Sequence, residues 1–96
     1  MTLSFRVLST PHFERLFRNL SRRHADLPDV FRSVLLTLEA DPHNRTGRLP
    51  IKKLAGVKPG EGQYRLRMGR WRFRYDIFGA DVVLHYCGLR REETYR

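Results

Sequence analysis

Five arginines crowd the stretch "YRLRMGRWRFRYD", residues 64–76, at positions 65, 67, 70, 72 and 74, and large apolar side chains fill the places between them. A guanidinium stays charged at any physiological pH and grips a phosphate through two parallel N–H bonds. Lys52 and Lys53 stand upstream and Arg90 and Arg91 downstream, so a sheet face bearing the arginines, Arg74 included, and flanked by these lysines suits a sugar–phosphate backbone. RNA brings its own nucleophile, the ribose 2′-hydroxyl. Cutting it requires that this oxygen be aligned and deprotonated, that the phosphorane be neutralised, and that the leaving 5′ oxygen be protonated. Arginines supply the neutralisation. For the base there are two candidates, His85 and Tyr95. On its strand position His85 reads first as a half-buried structural histidine and second as a base. A tyrosine ordinarily ionises near pH ~10, too high for a good base, but neighbouring cations such as Arg90 and Arg91 favour the phenolate. Tyr95 reads equally as a tail residue packing back on the surface. The four histidines, 12, 24, 43 and 85, have no metal-ligand spacing, and nothing in the sequence asks for a cofactor.

The charge points the same way. The chain of 96 residues carries a net charge of +9, and the surplus is uneven: residues 1–48 hold 8 basic and 5 acidic side chains, residues 49–96 hold 11 and 5. The second half therefore carries the positive field, which favours nucleic acid, an acidic protein or an anionic surface as partner. This length supports one domain with one core, residues 1–96. Cys87 is the single cysteine, so no intrachain disulfide forms, which fits a reducing cytoplasm. Arg6 interrupts the apolar start of the chain, which lacks a signal-peptide core, and no apolar run approaches the ~20 residues of a membrane span.

The elements that must position these residues follow from periodicity. Residues 2–8 alternate weakly, with Leu3, Phe5 and Val7 on one side, and read as a strand. Thr10 and Pro11 then give a cap and a first helical residue. Phe13, Leu16, Phe17 and Leu20 form one helical stripe that ends near residues 21–24. A second helix starts near Asp26–Pro28, with Leu27, Val30, Phe31, Val34, Leu35 and Leu38 on its apolar face, and Asp41-Pro42 stops it. The connection is short enough for a helix hairpin. Residues 42–62 form the one long irregular stretch, with a short strand or turn near "IKKLAG". Period two follows. Tyr64, Leu66 and Met68 face one way and Gln63, Arg65 and Arg67 the other. After a turn at Gly69-Arg70, Trp71, Phe73, Tyr75 and Ile77 oppose Arg72, Arg74 and Asp76. A last strand spans 82–87, with Gly88 as its breaker.

The expected fold is α+β in the order β-α-α-β-β-β. The helix hairpin lies on one face of a small, mostly antiparallel sheet, and the first strand adds to the edge of the meander. The helices need the apolar face, so the arginines are expected together on the opposite, open face. Neighbouring strands lie about 4.8 Å apart, which brings like charges side by side at a cost in stability. Either a polyanion relieves that cost, or Asp76, Asp81, Glu92 and Glu93 neutralise the face as ion pairs.

In order and spacing, "YRLRMGRWRFRYDI", the following turn and strand, and the terminal "LRREETYR" resemble the RelE/ParE superfamily, the toxin halves of bacterial type II toxin–antitoxin pairs. The likeness covers nearly the whole chain, including the helix hairpin and the "LAG" loop. It implies a bacterial cytoplasmic toxin, monomeric alone and hetero-oligomeric with an antitoxin; the charge argues for an acidic, partly disordered partner. It also implies one of two activities. RelE-like members cleave mRNA in the ribosomal A site without a metal, and ParE-like members poison DNA gyrase. A third reading is a relic that binds nucleic acid without cutting it. For the RelE-like activity, the resemblance implies phosphate orientation and charge neutralisation by Arg65, Arg67 and Arg72, support of the leaving group by Arg90, and deprotonation of the 2′-hydroxyl by Tyr95. Arg91, beside Arg90, leaves that assignment open by one position and is otherwise expected to bind RNA with Lys52, Lys53 and Arg74. The chain departs from the family in carrying Arg where Lys is frequent on the first meander strand, which suits charge stabilisation better than proton donation.

Overall fold

In the computed structural model, which describes residues 4–90, five strands form one sheet in the order β1-β5-β4-β3-β2. These are β1 (Arg6–Ser9), β2 (Ile51–Lys53), β3 (Tyr64–Met68), β4 (Trp71–Phe78) and β5 (Asp81–Leu89). The expectation of an α+β chain whose first strand joins the meander's edge is met: β1 runs parallel to β5, and every other pairing is antiparallel. Three details differ from the sequence reading. Of the short strand or turn expected near "IKKLAG", the structure has the strand, Ile51–Lys53, and its pairing with β3 gives the meander four strands rather than three. Ile51 reaches the core, and Arg67 N–H donates to Pro50 O at 3.0 Å. The first strand starts at Arg6 rather than at residue 2, because its partner β5 begins at Asp81, opposite Arg6, and offers nothing earlier to pair with; residues 1–3 lie outside the described residues. Gly88 does not end β5, which continues to Leu89 with Gly88 paired to Arg72.

Two helices, α1 (Pro11–Arg23) and α2 (Leu27–Ala40), form the hairpin. Thr10 caps α1, its Oγ1 accepting from Phe13 N–H at 3.0 Å, and Pro11 opens the helix where no N–H is needed. Asp26 precedes α2 without a side-chain cap bond, because its carboxylate is used elsewhere. It accepts from Trp71 Nε1 at 3.0 Å and from Arg70 at 2.8 Å. Those two donors, the indole first, hold its pKa below the ordinary range. This clamp ties the start of α2 to the β3–β4 turn.

The hairpin covers one face of the sheet. Phe13, Leu20, Leu27, Val34 and Leu38 from the helices meet Leu66, Trp71, Phe73, Tyr75, Val82, Leu84 and Cys87 from the strands. The rings of Phe13, Phe17, Phe31 and Phe73 pack in series. Tyr75 is buried, and its hydroxyl donates to Pro42 O at 2.7 Å, so the polar end of a core side chain is satisfied where the chain leaves α2. Burial raises its pKa. Period two along β3 and β4 thus assigns the apolar face to the helices as expected. Among the described residues no helix is long and apolar enough to cross a membrane.

Candidate nucleic-acid interface

The opposite face carries the charged side chains in two cross-strand rungs. One runs Lys52–Arg65–Arg74–Tyr86 across β2, β3, β4 and β5. The other runs Arg67–Arg72–Gly88 across β3, β4 and β5. The expectation that the arginines share a face is met, but the face is not open throughout.

The half that holds Arg74 is interior. Arg74 is 9% exposed and Asp76 0%, because the loop of residues 54–63 folds over them. Arg74 Nε donates to Gly62 O at 2.8 Å, and its Nη2 donates to Glu61 O at 3.2 Å. Asp76 accepts from the backbone N–H groups of Gly60, Gly62 and Gln63 at 3.0, 2.9 and 3.0 Å. Gly62 permits this approach: it sits at φ +82°, and a Cβ there would stand 2.9 Å from Arg74 Cβ. The sequence reading gave Arg74 to RNA. The structure instead makes it a strut of the loop, since its donors bond the loop carbonyls of Gly62 and Glu61, the first of them buried. His85 belongs to the same assembly. Its Nε2 lies 2.7 Å from Asp76 Oδ2, on a half-buried ring, which favours the structural reading of this histidine over that of a base.

Arg65 is half-buried in the row between Lys52 and Arg74, and among the described residues its Nε is buried without a hydrogen-bond partner. Lys52 is exposed on this face. Lys53, expected beside it, points the other way: it pairs with Tyr64, and its Nζ lies 5.7 Å from that ring's centroid. A one-residue step along a strand reverses the side chain, so two adjacent lysines do not serve one face.

The second rung is open only at its β3 end. Arg67 is exposed opposite Arg72. Arg72 is 4% exposed. Its Nη1 donates to Trp71 O at 3.1 Å and reaches Gly69 O at 3.4 Å, which fixes its guanidinium against the β3–β4 turn. Arg90 enters from the end of β5, anchored by its backbone N–H to Arg70 O at 2.9 Å. Together Pro50, Arg67, Met68, Gly69, Arg72 and Arg90 line a shallow concavity of about 320 Å³. Among the described residues, those that line it include three arginines, carried by β3, β4 and the end of β5, and no Asp or Glu. Guanidinium groups gathered on one hollow suit an anion, which each can grip through parallel N–H bonds. Arg70 lies apart, paired with Asp26 and stacked over Trp71 with its Cζ 5.2 Å from the ring centroid.

Of the five residues expected to carry catalysis, the structure therefore gathers Arg67, Arg72 and Arg90, with Arg65 on the next rung. Tyr95 and Arg91 lie outside the described residues. The sequence reading missed Tyr86. Simple alternation from Val82 and Leu84 assigns it to the core, but a bulge opposite Arg74 and Tyr75 inserts His85 and reverses the phase of the strand. Tyr86 thereby joins the arginine face, with its ring laid over Gly88. A Cβ built on Gly88 would run into the phenol, whose Cζ is 2.8 Å away. A Tyr-x-Gly-x-Arg run in a strand opposite arginines is the signal that would have found it.

Neither a scan against protein-family models nor searches of curated proteins and of solved structures gave a match.

Proposed function

We propose that the chain is the toxin of a type II toxin–antitoxin pair and acts as a metal-independent, ribosome-dependent mRNA endoribonuclease. The observation that carries this reading is the concavity of Arg67, Arg72 and Arg90. Three arginines around one hollow, with Arg72 fixed by turn carbonyls, suit a phosphorane, because its extra negative charge is met by donors already in place. Arg67 orients the scissile phosphate from the exposed side. Arg72, held by the turn carbonyls, neutralises the charge that develops. Arg90 supports the leaving oxygen. The resemblance gives the base to Tyr95. Lys52 and Arg65 continue the positive surface along the bound strand.

The second partner is an acidic antitoxin. A groove of about 570 Å³ between α1 and α2, lined by Phe13, Phe17, Pro28 and Phe31 and edged by Arg18 and Arg22 with Glu14 as its one acidic residue, suits an amphipathic helix with acidic flanks.

The deciding experiment is translation in vitro with and without the protein, followed by primer extension on the mRNA. A cut that appears only on translated message, and not with Tyr95→Phe or Arg67→Ala, supports the reading. Normal translation together with gyrase-dependent DNA breaks would replace it with the ParE-like activity, and normal translation with neither effect would leave a non-cutting nucleic-acid-binding relic.

A further inference from the structure

We infer that the outer face of α1, through Arg15, Arg18, Arg22 and Arg23, grips the phosphate backbone of a folded, double-stranded RNA, and that the protein thus carries a second nucleic-acid surface back to back with the arginine concavity. The inference rests on the reading of the chain as an RNA-directed toxin and concerns RNA other than the strand to be cut.

Four of the 13 residues of α1 are arginines, against one acidic residue, Glu14. All four arginines are exposed. Among the described residues none of them meets a carboxylate: the arginines in ion pairs are Arg6, Arg32 and Arg70. Glu14 accepts instead from the Ser9 hydroxyl at 2.7 Å. Arg22 and Arg23 stand in the last turn, where positive charge complements the helix dipole, but Arg15 and Arg18 have no such use. Like charges three and four residues apart on a helix repel, and Arg15, Arg18 and Arg22 follow one another at those spacings. An anionic partner accounts for a row of unpaired arginines that weakens its own helix.

The composition of the face narrows the choice of anion. From Arg15 to the end of α1 the exposed residues are Arg15, Arg18, Asn19, Arg22 and Arg23, and none is apolar. A protein contact is centred on apolar or aromatic anchors. Those stand in the groove beside the row, where Phe17 and Phe31 lie. A phosphate backbone asks only for cations placed along it. Arg15 to Arg22 covers about 10 Å of helix, and a duplex offers several phosphates over that length.

Placement narrows the choice of RNA. The helices cover the apolar face of the sheet, and Arg67 and Arg72 lie on the other. The sheet and the width of a helix, about 10–12 Å, therefore separate the two basic surfaces, which point away from each other. A short single strand in the concavity does not reach both. A partner that meets both encloses the protein, as the walls of a cleft in a folded RNA do. In the proposed reaction α1 holds the protein to such a wall while the concavity holds the strand, which gives a physical basis for a cut that needs the ribosome.

The test is equilibrium binding of an RNA duplex, of a single-stranded RNA of the same length and of poly-glutamate, across a salt series. The proteins are the wild type, the triple variant Arg15→Gln with Arg18→Gln and Arg22→Gln, and the double variant Arg67→Ala with Arg90→Ala. The triple variant is expected to lose duplex affinity at least about tenfold at low salt, with the slope of log affinity against log salt reduced by about three, one for each phosphate contact removed. Its single-strand binding is expected to be largely retained. The double variant is expected to show the reverse. Glutamine is a good helix former, and if the triple variant still folds poorly, Arg15→Gln alone answers the question through a slope reduced by about one. Duplex binding unchanged in the triple variant, or equal loss for duplex and single strand, overturns the inference. Loss of poly-glutamate binding with duplex binding intact assigns the row to an acidic protein and overturns it as well. Full single-strand affinity in the double variant instead sinks the reading of the concavity, and leaves the duplex result for α1 to be judged by itself.

Discussion

Removing the Asp76 carboxylate should unlatch the loop of residues 54–63, and the size of the effect follows from its contacts. Asp76 is fully buried, accepts three backbone N–H groups, and has His85 Nε2 2.7 Å away. Hydrogen bonds to a charged group contribute about 1.5–3 kcal/mol each, and bonds sharing one acceptor do not add in full. Breaking a buried charge network from one side costs about 3–5 kcal/mol, and that is the loss expected for Asp76→Ala. Asp76→Asn keeps one carbonyl oxygen but turns an amide toward the donors, so an intermediate loss of about 1–3 kcal/mol is expected. For a domain of this size each kilocalorie lowers Tm by about 4–8 °C, which puts the alanine variant at least about 12 °C below the wild type. Urea titration gives the free energy, and hydrogen exchange at Gly60, Gly62 and Gln63 locates it. Those three amides should lose protection first, while the core amides of β4 and β5 are lost only at global unfolding. A loss under about 1 kcal/mol for Asp76→Ala, or unchanged exchange at the three amides, would refute the view that this half of the charged face is built for stability.

The contrast between the two rungs is testable by substitution. Arg67→Ala and Arg90→Ala are exposed changes, expected to alter stability by less than about 0.5 kcal/mol and to abolish growth arrest on expression. Arg74→Ala removes two hydrogen bonds to loop carbonyls and should cost about 2–3 kcal/mol; thermal melts and a growth assay separate the classes. Asp26, Asp41 and Asp81 have pKa values lowered in the folded state, by the Trp71 indole with Arg70, by the Arg45 and Thr46 amides, and by Arg6 respectively. Their contribution is present above the unfolded value near 3.8 and is lost as pH falls through the lower folded values, because the unfolded chain takes up those protons more readily. Melts from pH 6 downward should show Tm dropping as the carboxyls protonate, and replacing Asp26 by Asn should flatten that drop. Cys87 is buried, and burial pushes its thiol up to about 12. Its alkylation at neutral pH should therefore follow the unfolding equilibrium, and native-state labelling at the rate of a free thiol would contradict the packing of β5 against the helices.

Much of the architecture was legible because it rests on local periodicity. The stripe from Phe13 to Leu20 and that from Leu27 to Leu38 admit one helical face each, and Thr10-Pro11 and Asp41-Pro42 mark ends that capping and proline sterics enforce. Alternation along β3 and β4 was equally readable and separated Phe73 and Tyr75 from Arg72 and Arg74. The candidate site was legible in part. Arg67, Arg72 and Arg90 do converge, whereas Lys53 turned out to face the opposite side, because a period of two sends adjacent residues apart.

Along β3 and β4 the sequence determined which side chains share a face, since the alternation there is unbroken. Tertiary structure decided which parts of that face meet solvent. The glycine-rich loop that precedes β3 folds over Arg74 and Asp76, because a buried carboxylate collects its free amides. One extra residue in β5 reverses that strand's phase and carries Tyr86 across to the arginines. Both effects arise from contacts between separate elements of the fold, and no pattern within either element encodes them.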